Sequence, residues 1–96
     1  MKVKFDKIPC EMIDGSVVEC DLTKSIAEYI FKNAVNIEMH ELALKMNKYE
    51  EIELTKEIVE SLPVIVEQTP NMVMFAKIGF KKWFTDVTDR YNTQKQ

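Results

Sequence analysis

His40-Glu41 is the pair in this chain whose residue types come nearest to working chemistry. A zinc peptidase sets His-Glu on a helix with a second histidine one turn later, so that two imidazoles hold the metal and the carboxylate takes a proton from its water. Leu44 occupies that next turn here, and the chain has a single histidine. One imidazole activates nothing, and His40 reads as a boundary residue of a helix. Cys10 and Cys20 do not make up the set, because CxxC spacing and a fourth ligand are both missing. With no secretory signal in view, two reduced thiols are expected rather than a disulfide.

Glu50, Glu51, Glu53, Glu57, Glu60 and Glu67 face one lysine, Lys56, over the same stretch. Carboxylates work as acid–base pairs when a cleft holds them close and shifts their pKa values. These fall on the solvent side of an extended segment and the outer face of a helix. They read as a solvated acidic surface, with docking of a basic partner or mimicry of nucleic-acid charge as the functional alternative. Lys77, Lys81, Lys82 and Arg90, interleaved with Phe80, Trp83 and Phe84, raise the idea of nucleic-acid binding. The aromatics, however, share the core stripe of a helix, the formal net charge is −3, and lysines late in a helix answer its dipole. Nucleic acid is therefore not an expected partner. No serine or cysteine stands in a recognisable frame with the histidine, and Gly15 and Gly79 alone cannot build a phosphate loop. Catalytic residues, metal ligands and cofactors are all expected to be absent, and the chain does not read as an enzyme.

The elements that carry these residues follow from composition and pattern. Ninety-six residues, 46% hydrophobic and 30% charged, fit one globular domain with a single modest core. No apolar run approaches the roughly 20 residues that span a bilayer. Met1-Lys2-Val3-Lys4-Phe5-Asp6 alternates like a strand and lacks the apolar centre of a signal peptide, so the cytoplasm is the expected address. The fold class expected is α+β: a small antiparallel N-terminal hairpin or sheet packed against about four helices, over residues 1–88, with a polar tail at 89–96 that should fray.

Val3, Phe5 and Ile8 lead to Pro9, a strand edge or bend. Met12-Ile13 and Val17-Val18 flank Asp14-Gly15, a strong hairpin signal. A two-residue turn there sets Cys10 opposite Glu19 and Cys20 opposite Pro9, on opposite faces, whereas a three-residue loop sets the cysteines opposite one another. A first helix starts between 22 and 25 and runs to about Ala34, with Ile26, Ile30, Phe31 and Ala34 inward. Asn36 caps a second helix from Ile37 to Met46 or Asn47, burying Met39, Leu42 and Met46. Residues 51–54 form either an edge strand or a connector. Thr55 caps a third helix with Glu57 in its first turn and Ile58, Leu62, Ile65 and Val66 along its stripe; Pro63 predicts a kink or break.

The last helix is read from Thr69-Pro70, a cap with proline behind it, to about Val87. Val73, Ala76, Phe80, Trp83, Phe84, Val87 and Tyr91 make one stripe. Met74, Phe75 and Ile78 lie outside it and need a second apolar surface, supplied by the third helix or by another subunit. They are the candidate interface. Gly79, costing ~1 kcal/mol mid-helix, marks a close approach of another helix, within the subunit or between subunits.

The extended N-terminus with its Asp14-Gly15 turn leads into Leu22-Thr23, then Leu42-Ala43-Leu44-Lys45-Met46, then Glu50-Glu51-Ile52-Glu53-Leu54-Thr55 and Lys56-Glu57-Ile58. Over residues 1–66 this order is similar to a set of short proteins encoded by tailed bacteriophages and prophages, many without assigned function. The resemblance brings no catalytic motif and implies a phage-encoded accessory protein that binds something in the bacterial cytoplasm. The expected function is thus a non-enzymatic interaction protein, a homo-oligomer or one holding a host or phage protein through its last helix. The alternative is a small-ligand sequestering protein with its pocket at an oligomer interface, such as one countering a host defence.

Overall fold

The computed structural model describes residues 1–94 and is α+β, with four helices and two separate two-stranded antiparallel sheets. Strand β1 (Lys2–Val3) pairs with β4 (Ile52–Glu53), so the alternating 51–54 segment meets the chain's start and not the hairpin. The Met1 ammonium lies 2.6 Å from the Glu53 carboxylate, and Leu54 N–H donates to Met1 O at 2.9 Å.

Strands β2 (Ile8–Glu11) and β3 (Val17–Cys20) form the expected hairpin in neither expected register. Ile8 pairs with Cys20, Pro9 with Glu19 and Cys10 with Val18. The loop is Ile13-Asp14-Gly15, closed by Met12 N–H to Ser16 O at 2.8 Å and Gly15 N–H to Met12 O at 2.9 Å. Gly15 takes φ +86°, the left-handed bulge position that follows such a turn. Asp14 Oδ1 accepts from Ser16 N–H and Oγ–H, which centres the loop on Asp14. Ile8 and Cys10 share a face by strand period, and Cys20 sits opposite Ile8, so the thiols are diagonal neighbours on one face.

Helix α1 (Thr23–Asn33) opens with Asp21 accepting from Thr23 N–H at 3.0 Å. Ile26, Ala27 and Ile30 are buried, but Phe31 faces solvent, because α1 packs on α2 along a narrower stripe than expected. Helix α2 (Ile37–Asn47) begins at Asn36, whose side chain accepts from Met39 N–H at 2.8 Å. It ends in a Schellman motif, with Glu50 N–H to Lys45 O at 3.1 Å and Tyr49 N–H to Met46 O at 2.9 Å. Tyr49 fills the left-handed position usually given to glycine, at φ +59°. Its hydroxyl donates to Asp21 Oδ2 at 2.7 Å, latching the end of α2 to the start of α1.

Helix α3 (Lys56–Gln68) starts at Thr55 and runs unbroken through Pro63. Thr69-Pro70 does not start the next helix. Thr69 ends α3, its hydroxyl donating back to Ile65 O at 2.8 Å, and Asn71 reverses the chain at φ +64°. Helix α4 therefore begins at Met74, and it continues to Gln94 with Tyr91 buried, past the point where fraying was expected. The last two residues of the expected tail, 95–96, lie outside the described residues. Phe5, Phe80 and Phe84 centre the core, with Phe5 and Phe80 stacked at 6.4 Å and Phe80 and Phe84 at 5.2 Å.

Candidate functional site

Helix α4 lies against β2 at Gly79. A Cβ there would sit 2.7 Å from both Cys10 Sγ and Pro9 O, so only a hydrogen lets helix and strand meet this closely. The neighbour that Gly79 admits is a strand of the same chain rather than another helix. This contact fixes α4 beside the hairpin and opens a groove between them of about 700 Å³. Pro9, Met12, Ile13 and Val17 form one wall, and Phe75, Ile78 and Trp83 form the other.

The candidate interface residues all reach the surface: Met74 is 66%, Phe75 39% and Ile78 47% exposed. Phe75 and Ile78 line the groove, and Met74 lies one turn before Ile78. Trp83, placed in the core stripe by spacing, is half-buried and lends its exposed part to the same wall, while its ring meets Phe5 edge-on at 5.7 Å. Val73, also assigned to the stripe, is exposed, because α4 starts only after it. The hairpin wall was not anticipated. Ile13 stands fully exposed at the loop tip, with Val17 largely exposed beside it. The signal for it was an apolar pair, Met12-Ile13, set directly against a turn, where polar residues are usual.

Charge at the groove is sparse and paired. Glu11 on the hairpin and Lys82 on α4 approach to 4.0 Å across it, and Asp86 follows Lys82 one turn on. Below the groove, burial and then the hydrogen bond and charge of Cys20 push the Cys10 thiol up to about 12. Both cysteines are free, and Cys10 is inert as a nucleophile at neutral pH.

No family model, curated protein or solved structure matches the chain. The site therefore stands on its own geometry.

The other candidate chemistry is dispersed. His40 is exposed on α2 with its ring 5.1 Å from Phe31. The six carboxylates from Glu50 to Glu67 are all exposed. Among them, Glu57 raises Glu38 of α2, first by a shared hydrogen bond and then by its charge. Among the described residues, no cluster of three or more His, Cys, Asp or Glu side chains could hold a metal. Lys77 donates to Glu67 O at 2.8 Å, satisfying a carbonyl at the end of α3. A second groove, of about 590 Å³ between α3 and α4, is lined by Pro63, Val66 and Phe84 and by charges of both signs. No helix among the described residues is long and apolar enough to cross a membrane.

Proposed function

We propose that this chain is a non-enzymatic interaction protein whose working surface is the groove between the β2–β3 hairpin and the first half of α4. One observation carries the reading: Phe75 and Ile78 leave apolar surface exposed in the same groove as Met12, Ile13 and Val17, and Met74 is exposed one turn before Ile78. Isolated exposed apolar side chains are ordinary, but a contiguous patch rimmed by charge is the mark of a protein interface. Methionine at two of the six positions suits a surface that adapts to what it holds. Assignment as a cytoplasmic accessory protein of phage or prophage origin rests on the resemblance over residues 1–66, and sequencing the flanks of its gene tests that part.

The docking role is tested by placing a photo-crosslinking amino acid at Ile78 and, as a control, at exposed Thr93, in the host cell. Discrete protein adducts from position 78 and none from 93 are expected. Equal labelling at both, or none at 78, overturns the reading.

A further inference from the structure

We infer that the partner on this groove is a second copy of the chain, related by a two-fold axis running along the groove; the inference rests on the docking role proposed above. Two observations on the surface select this occupant. The first is area. Met12, Ile13, Val17, Phe75 and Ile78 all line the groove with exposed apolar surface, and with the rim they form one broad face of the kind that a partner bringing about 800 Å² to a stable complex requires.

The second is charge. The hairpin wall carries Glu11 and the helix wall carries Lys82, at 64% and 72% exposure. A two-fold axis in the plane of this surface has two limiting directions, across the groove and along it. An axis across the groove sets helix on helix and hairpin on hairpin, bringing each acidic wall over its like. An axis along the groove sets α4 of one protomer over the hairpin of its partner, so each Glu11 approaches the Lys82 of the other copy. Opposite charges meet twice, and the apolar strip between them is covered. Asp86 lies a turn further on, at the end of the groove away from Phe75, and stays on the rim. In this arrangement Ile13 at the hairpin tip is the knob, and the hollow beside Phe75, Ile78 and Trp83 of the other protomer is its socket. Gly79 matters indirectly, because its contact with β2 sets the depth of that hollow.

The test is sedimentation equilibrium of the full chain, followed by native mass spectrometry of mixed variants. The wild type should sediment as a dimer at tens of micromolar. Glu11→Lys and Lys82→Glu each set like charges across the interface twice and should weaken the dimer about tenfold. Both substitutions are on exposed side chains, and unchanged far-ultraviolet circular dichroism verifies the fold. The two variants are then mixed, one of them labelled with nitrogen-15. In the mixed dimer, position 11 of each chain faces position 82 of the other with opposite charge at both crossings, so a one-to-one heterodimer should dominate both homodimers. A change confined to pairing within one chain gives no such preference. A wild-type monomer overturns the second copy, as does a dimer indifferent to both reversals. If that monomer still yields adducts from position 78 in cells, the docking role survives with another protein as partner. If it yields none, both readings fall.

Discussion

Gly79→Ala should destabilise the protein, although alanine is the better helix former. Alone on a helix, the exchange stabilises by ~1 kcal/mol. Here the added methyl would lie 2.7 Å from Cys10 Sγ and from Pro9 O, and 3.1 Å from Cys10 Cα. The sulfur could move by a rotamer change, but Pro9 O and Cys10 Cα are backbone of a paired strand and move only with β2. Overpacking of this kind costs about 1–3 kcal/mol, and the backbone contacts place it in the upper half of that range. The net loss is ~1–2 kcal/mol, which in a domain of this size lowers Tm by about 4–15 °C. Thermal unfolding followed by circular dichroism reads it directly. Repeating the exchange in a Cys10→Ala background removes the sulfur and leaves Pro9 O, so part of the loss should persist. A Tm equal to or above wild type would refute the close packing of α4 on β2, and with it the floor of the groove.

Burial pushes Asp21 upward, but its hydrogen bonds from Tyr49 and Thr23, with Lys24 nearby, hold it below the usual carboxylate range. Its folded-state pKa is thus depressed, so its contribution is present above the unfolded value of about 3.9 and is lost as pH falls through the folded one. Asp21→Ala should cost ~1 kcal/mol at pH 7, discounted for its exposure, and the gap to wild type in urea unfolding should narrow below about pH 4. A pH-independent gap refutes the latch. For Cys10 the sign reverses: its folded pKa is raised from 9.0 to about 12, so stability is full below 9 and falls as pH rises between those values. Ellman's reagent at pH 8 should find Cys10 unreactive in the native chain and two thiols in urea; a native Cys10 that reacts as fast as Cys20 contradicts its burial.

Local chemistry made much of the fold legible. Asn36 and Thr55 each carry a side-chain oxygen at the right distance from a free N–H, and both cap as read. Thr69-Pro70 carries the same kind of signal and misleads, because the threonine hydroxyl found Ile65 O behind it rather than an N–H ahead. The hairpin was legible and its register was not. Asp14 bonding to Ser16 shifts the loop centre by half a residue, from between Asp14 and Gly15 onto Asp14, and that brings both cysteines to one face. Met74, Phe75 and Ile78 could be singled out because helical angle alone separates them from the buried stripe. Their counterpart wall could not, since Ile13 joins Phe75 only through the long-range contact that Gly79 permits.

Trp83 offers the most direct measurement, because it is the one tryptophan in the chain and lines the groove itself. Acrylamide quenching of its fluorescence, followed across a dilution series from tens of micromolar to tens of nanomolar, reports whether protein covers that wall. If a second copy sits in the groove, Trp83 is shielded at high concentration and becomes more quenchable on dilution, whereas Phe75→Glu is quenched to the same high level throughout. Equal quenching of the wild type at every concentration, matching that of Phe75→Glu, would contradict the account.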